Sequence, residues 1–336
     1  MHFPLIQDIL IILAFSVLVV FILQRFRLPS ILGFLITGIL IGPHGLEFIA
    51  AVHEVEIISE IGVILLLFMI GLELSLKELA SIRKTILIGG FLQVGLAIAS
   101  AAVISRLLGY AWSESVFMGF LLSLSSTAIV LKILQDRNEI SAPHGRNALG
   151  ILIFQDIIVI PMILLTPILS GETTNIGMAL LELIGKSGLI ILATFLSARY
   201  VVPYLMHFVA RTRSKELFLL TTLMICFAVT WTTAETGLSL ALGAFLAGLI
   251  ISESQYSHQA TSLILPFKEL FTSFFFISIG MLLNLAFLLD HAGIILLAAV
   301  LVFIIKGTIG TFAAAILRYP PRTSLLTGLA LFQIGE

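Results

Sequence analysis

Charge is what this sequence has least of. Lys, Arg, Asp and Glu make up 11% of its 336 residues, while hydrophobic residues make up 59%. A soluble domain carries roughly 25% charged residues. With a mean hydropathy of +1.16, too little polar surface exists to cover a water-soluble body. The composition therefore reads as an all-α polytopic membrane protein, with the lipid bilayer as its main partner. Cysteine is nearly absent. A lone Cys226, set among apolar neighbours, excludes a disulfide framework and a cysteine-built metal site. No long polar linker interrupts the chain, so no soluble domain is expected within it. No P-loop is present: GFLITGILIGPHGL (33–46) is glycine-rich, but no strand precedes it and no GK[ST] follows. Close helix packing is the expected use of those glycines. No two histidines have ligand spacing, and no nucleophile–base pair stands out. Enzyme chemistry, a bound cofactor and nucleic-acid binding are not expected.

What is present is a series of apolar runs separated by polar or Gly/Pro punctuation. Twelve are expected: 5–24, 29–42, 56–73, 84–108, 113–134, 147–169, 178–208, 216–235, 237–252, 262–288, 291–317 and 323–336. Several reach the ~20 residues that span a bilayer. Two, 29–42 and 237–252, are short and glycine-rich. The first lacks a basic region before it and a small-residue cleavage site after it, and reads as a retained helix rather than a signal peptide. The last stops inside an apolar run, so a truncated end and at least one further helix are expected. Basic residues alternate from loop to loop. Arg25, Arg27, Lys77, Arg83, Lys84, Lys132, Arg137, Arg146, Arg211, Arg213, Lys215, Arg318 and Arg322 flank the connections after odd-numbered runs, and Lys268 lies just beyond another. The intervening connections GPHGLEFIAAVHEVE, SGETTN and LLDHAG contain no Lys or Arg. By the positive-inside rule the N-terminus lies outside.

Four polar features interrupt the apolar runs. Asp156 sits in ILIFQDIIVIP (151–161), beside Gln155. A carboxylate at the middle of a membrane helix costs about 2.5–3.5 kcal/mol on insertion scales. It lies about 12 Å into its run at 1.5 Å per residue, too deep for a short stem to reach the surface. It serves either an ion pathway or a structural pairing between helices. In LLSLSSTAIVLK (121–132), Ser123, Ser125, Ser126 and Thr127 cluster mid-run. They fit helix packing through small residues or a break in the helix that exposes backbone carbonyls. Lys306, in LVFIIKGTIGTF (301–312), needs a carboxylate, carbonyls or water, unless its stem snorkels. LFQIGE (331–336) places Gln333, Gly335 and Glu336 mid-run. The fifth and twelfth runs hold equivalent places if runs 1–6 and 8–13 are two repeats joined by the seventh. The offset of seven is odd, so the second repeat is inverted. Matching interrupted segments in two inverted halves point to a transport site. Glu73 and Glu235 fall at segment ends and weigh less.

Together these stretches carry a resemblance. GFLITGILIGPHGL (33–46), EIGVILLLFMIGLEL (60–74), LSSTAIVLKIL (124–134), GRNALGILIFQDIIVIP (145–161), GLSLALGAFLAGLI (237–250), PFKEL (266–270), FFFISIGM (274–281) and LFQIGE (331–336) occur in this order. The chain resembles the monovalent cation:proton antiporter-2 family, most closely the Kef-type potassium/proton antiporters, over essentially its whole length. The resemblance implies an inverted-repeat antiporter fold of thirteen helices, with the fifth and twelfth broken and crossing. It implies one transmembrane exchanger domain over 1–336. Scaffold runs at about 5–73 and 216–288 would form a homodimer interface, core runs at about 84–169 and 291–336 would carry the ion, and a linker would lie at about 178–208. Asp156 takes the ion- and proton-binding position, with Gln155 where electrogenic relatives have a second acid. Ser125, Ser126 and Thr127 complete the ion site, and Lys306, Gln333 and Glu336 support it. The substrates are then K⁺ or Na⁺ and H⁺, exchanged by alternating access in a bacterial inner membrane. A cytoplasmic nucleotide-binding regulatory domain commonly follows such a domain. In glutathione-gated relatives an acidic stretch lies between the ninth and tenth runs. Here it reads HQATSLILPFKEL (258–270), with Glu269 its one acid, which argues against glutathione gating. The same residues would also serve a gated efflux channel. A sensor subunit without transport fits them less well.

Overall fold

The computed structural model describes residues 4–26, 28–49, 52–169, 185, 188, 196, 200–235 and 239–335. Arg27, the SGETTN connection, most of the expected linker run and Glu336 lie outside the described residues. The described residues are helical, joined by short turns, and none is in a strand. The first eight helices are α1 (Pro4–Arg25), α2 (Ser30–Ile41), α3 (Val52–Glu73), α4 (Leu76–Ser81), α5 (Gly90–Leu107), α6 (Trp112–Ser123), α7 (Thr127–Asp136) and α8 (Pro143–Leu169). They are followed by α9 (Val202–Ala210), α10 (Lys215–Ala234), α11 (Leu240–Ser252), α12 (Ser257–Met281), α13 (Leu285–Asp290), α14 (Ala292–Ile316) and α15 (Pro321–Ala330). Seven spans among the described residues are long and apolar enough to cross a bilayer. The two glycine-rich runs form short helices, α2 and α11, as expected. Side chains such as Val17 and Phe21 on α1 and Ile294 and Leu296 on α14 are about two-thirds exposed or more, as a lipid-facing surface requires.

Polar residues set the helix starts. Ser214, Ser239 and Asn284 each cap a helix by accepting a hydrogen bond from the backbone N–H three residues on. Asn284 thereby divides the expected run 262–288 into α12 and α13. Ser75 and Glu78 form a reciprocal capping box at α4. Thr85–Gly89 winds as a π-turn into α5. The expected run 113–134 is two helices, α6 and α7, separated by Leu124, Ser125 and Ser126 in non-helical conformation. Lys268 lies inside α12, 2% exposed, with its ammonium 2.7 Å from Glu269. It is a buried, paired residue and carries no weight in the orientation argument. Cys226 is fully buried, in line with its apolar neighbours.

The chain forms two compact units by contact density. One comprises residues 1–66 and 262–297. Its core gathers Ile12, Ile41, Ile49, Phe274, Ile277 and Met281. Here α2 meets α12 through glycines: a Cβ added at Gly38 would lie 2.9 Å from the Gly280 Cα. The other unit comprises residues 67–261 and 298–336. Within it α3 meets α11 in the same way, a Cβ added at Gly248 lying 2.9 Å from the Gly71 Cα. The stretches LGFLITGILI (32–41) and LGAFLAGLII (242–251) align with Gly38 upon Gly248. The two contacts thus equate α2 with α11 and α3 with α12, the offset of seven runs that an inverted repeat demands. Glycine is required at both because backbone touches backbone, leaving no room for a side chain.

Overpacking a backbone contact of this kind costs about 1–3 kcal/mol or more. Gly248→Val should therefore lower the thermal midpoint of the purified protein by several degrees. Gly95→Ala, where an added Cβ meets nothing within 4 Å, should leave it unchanged in the same melting experiment.

Candidate functional site

The centre of the second unit is built where one helix is interrupted and the end of another meets it. The first break lies between α6 and α7, where Leu124 and Ser126 have extended backbone (ψ 151° and 109°). Serine hydroxyls compete with the helix for backbone partners, which favours such a break. Ser126 uses its hydroxyl to cap α7, accepting from the Ile129 N–H at 3.4 Å. The second break follows α15, where Leu331 to Gly335 leave the helix. A Cβ added at Gly335 would lie 3.3 Å from the Ser125 backbone, so the two breaks cross in close contact.

A helix break inside a membrane frees backbone groups that no water can satisfy. Here side chains and the opposing break satisfy them. The Ser125 N–H donates to the Gln155 Oε1 at 2.8 Å, and the Ser126 N–H to the Gln333 Oε1 at 2.9 Å. Gln333 returns a bond from its Nε2 to the Ser126 carbonyl at 3.1 Å. The Ser125 hydroxyl donates to the Leu331 carbonyl at 2.9 Å, and the Gly335 N–H to the Leu124 carbonyl at 3.0 Å. Lys306 enters from α14, 2% exposed, and donates its ammonium to the carbonyls of Leu124 and Gln333, the latter at 2.7 Å. Gly307 and Gly310 let α14 approach Gly328 of α15 closely enough to deliver it. Of the partners open to Lys306 on sequence grounds, the structure selects carbonyls. Its positive charge meets the carbonyl end of α6, where the helix dipole favours it.

Asp156 stands on the opposite pole of the first break. Its two carboxylate oxygens accept from the Thr127 hydroxyl at 3.3 and 3.4 Å, at the first turn of α7. A helix N-terminus favours negative charge. The crossover therefore carries an ammonium at its carbonyl end and a carboxylate at its N–H end. Thr127, Ser126, Ser125, Gln155, Asp156, Lys306 and Gln333 all meet here. Glu336 lies outside the described residues. The carbonyls of Ser123, Leu124 and Ser126 accept bonds from protein donors.

One site residue escaped the sequence reading. Gln93 on α5 is fully buried; its Nε2 donates to the Ser123 carbonyl at 3.2 Å and its Oε1 accepts from the Gln155 Nε2 at 2.7 Å. The signal was available. A lone amide in the apolar run 84–108 demands partners for the same reason as Gln155.

This network makes separable predictions. Gln155→Leu leaves the Ser125 N–H and the Gln93 Oε1 without their partners, each at a cost of about 1–3 kcal/mol. Its thermal midpoint should fall well below the wild type. Lys306→Gln, which can still donate to one carbonyl, should fall less. Equal midpoints for Gln155→Leu and wild type in a melting series would refute the network's structural weight.

The chain as a whole is similar to known proteins. A family model described as sodium/hydrogen exchanger, transmembrane, matches residues 10–336. The chain is 36% identical over 343 residues to K(+) efflux antiporter 5 of Arabidopsis thaliana, covering 99% of this chain and 59% of that one. It is 35% identical over 334 residues to the putative K(+) efflux antiporter KefB of Alkalimonas amylolytica, covering 98% and 50%. It is 36% identical over 311 residues to the glutathione-regulated potassium-efflux system protein KefC of Salmonella typhimurium, covering 90% and 50%. The chain spans about half the length of the curated relatives it matches. Its fold is similar to that of the sodium proton antiporter MjNhaP1 from Methanocaldococcus jannaschii, with a TM-score of 0.64 and 17% identity over 96% of this chain and 82% of that one. With a family model matched over nearly its whole length, and with broken, crossing helices at the centre of its second unit, the chain belongs to the transmembrane sodium/hydrogen exchanger family.

Proposed function

We propose that the protein exchanges a monovalent cation, K⁺ or Na⁺, for H⁺ by alternating access, with Asp156 as the binding carboxylate. The observation that carries this reading is the position of Asp156 beside Thr127 at a helix break. A carboxylate removed from bulk water is stabilised by binding either a proton or a cation, and the two exclude each other at one group. Thr127 supplies a hydroxyl oxygen to the cation. Gln155, Ser125 and Ser126 position the break, because their polar atoms are engaged in holding it. Lys306 and Gln333 fix the crossover. Two relatives are named as K(+) efflux antiporters and one as a potassium-efflux system, which favours K⁺. The proposed domain plan keeps scaffold runs at about 5–73 and 216–288, with a homodimer formed through them, and core runs at about 84–169 and 291–336. The proposed setting is a bacterial inner membrane with the N-terminus outside, following the loop charges other than Lys268.

Full-length protein in proteoliposomes with an internal pH dye tests the site. Asp156→Asn keeps the side chain's shape but cannot alternate between proton and cation, so cation-driven pH change should be lost for K⁺, Na⁺ and Li⁺ alike. Its melting profile should stay close to the wild type. Wild-type-like exchange by a folded Asp156→Asn protein sinks the mechanism.

A second expectation concerns charge. Gln155 cannot ionise, so Asp156 holds one H⁺ or one monovalent cation in turn, and exchange is electroneutral. A membrane potential of 100 mV exerts about 2.3 kcal/mol on each uncompensated charge. Imposing such a potential should leave the wild-type exchange rate unchanged. A substrate-dependent current that disappears in Asp156→Asn would overturn electroneutrality while leaving the carboxylate's role intact.

A further inference from the structure

Away from the crossover, the second unit contains a polar cavity of about 270 Å³ at the start of α8, lined by Ser81, Ser141, Arg146, Asn147 and Tyr319 among others. The cavity lies where the end of α4, the first turns of α8 and the connection from α14 to α15 meet. Asn147 is 1% exposed, yet its amide nitrogen has no hydrogen-bond partner in the protein. Its Oδ1 is engaged, accepting from the Thr85 hydroxyl at 3.3 Å, which leaves the NH₂ as the unsatisfied end. Such a buried donor costs about 1–3 kcal/mol when left unpaired, so an acceptor in the cavity stabilises the fold.

Arg146, one residue earlier, carries the charge. Its guanidinium donates to the Ser81 hydroxyl at 2.6 Å and lies 3.5 Å from the Glu78 carbonyl. No carboxylate pairs with it among the described residues. The two acids on the flanking turns are engaged elsewhere. Glu78 turns its carboxylate to the Ser75 N–H at 2.9 Å, and Glu139 pairs with His144 at 3.1 Å. Because the Thr85 hydroxyl donates to Asn147, the Tyr319 hydroxyl donates to Thr85 at 3.1 Å and so ties the connection from α14 to α15 to the cavity wall. The Ser81 hydroxyl is held by its own bond to the Glu78 carbonyl at 2.6 Å, so the lining groups offer a fixed guanidinium, a buried amide donor and the Ser141 hydroxyl, with the positive end of the α8 dipole behind them. That set matches a compact oxyanion with several acceptor oxygens and charge to spare for an arginine.

We propose that this cavity binds a phosphate group, presented either by a free phosphate-bearing anion or by an anionic lipid headgroup. An occupant would tie α4 and Tyr319 to α8, the helix that carries Gln155 and Asp156 about 14 Å further along at 1.5 Å per residue. It would thereby stabilise the arrangement of α8 without touching the crossover.

Thermal melting of the purified full-length protein in detergent tests this, with inorganic phosphate and chloride at equal ionic strength as one arm. Short-chain phosphatidic acid and phosphatidylcholine form the other arm. Phosphate or phosphatidic acid should raise the midpoint by about 3 °C, as expected when a ligand binds only the folded state. Chloride and phosphatidylcholine should not. A rise with inorganic phosphate identifies a free anion as sufficient, and a rise with phosphatidic acid alone identifies the lipid. Arg146→Gln, a change at the cavity rim, should fold normally and lose the rise. Asn147→Asp, which turns the buried donor into an acceptor, should lose it too. No selective rise in the wild type, or an equal rise in Arg146→Gln, overturns the proposal. Neither result bears on exchange at Asp156, because the readout is binding and not transport.

Discussion

The constraint on which this structure turns is that backbone groups freed inside a membrane must find partners within the protein. At the centre of the second unit one helix is interrupted between α6 and α7 and another, α15, ends beside it, and each strands N–H and carbonyl groups. The solution is mutual. Leu124 accepts from Gly335, Leu331 from Ser125, and Gln333 bonds Ser126 in both directions. Lys306 then closes the set by donating to one carbonyl from each break. A lysine in lipid is costly alone. Here it neutralises two carbonyl ends that would be equally costly without it.

That arrangement changes what a bound ion must supply. The carbonyls at one end of the crossover are already occupied by Lys306, so the open pole is the other one, where α7 begins and Asp156 faces Thr127. In the exchange proposed above, an ion at Asp156 would be held by the carboxylate and the hydroxyl, with the break as scaffolding. Gln155 and Gln93 belong to that scaffolding. Their amides are engaged with Ser123, Ser125 and each other, which explains two buried amides on neighbouring helices. The proposed phosphate cavity touches the same helix from its far end and leaves this chemistry alone.

Much of this was legible in the amino-acid sequence. Low charge and long apolar runs determine a membrane protein of many helices. Asp156, Gln155 and Lys306 announce themselves, because a polar group among apolar neighbours in a membrane needs a reason. The short glycine-rich runs announce close packing, and Gly38 and Gly248 supply it against Gly280 and Gly71. Gln93 was equally legible by the same rule. Lys268 shows the limit of reading charge along a line. It lies just beyond a connection and inside its expected run, but only the packing of α12 shows that it is buried, with its ammonium on Glu269.

What tertiary structure alone decided is pairing. Sequence offered Lys306 a carboxylate, carbonyls or water, and offered the serine cluster either packing or a break. Both choices depend on which groups arrive from residues some 200 positions away, such as Gln333 opposite Ser126. Local periodicity carries no information about such partners, since it records only which residues share a face of one helix. The cavity at α8 is a sharper case. Arg146 and Asn147 read as ordinary residues at a helix start, and only the arrival of Ser81 and Tyr319 makes them one site. The sequence by itself determined which residues could not be left alone in a membrane. The fold determined what each was given, because hydrogen bonds are satisfied by neighbours in space and not by neighbours in the chain.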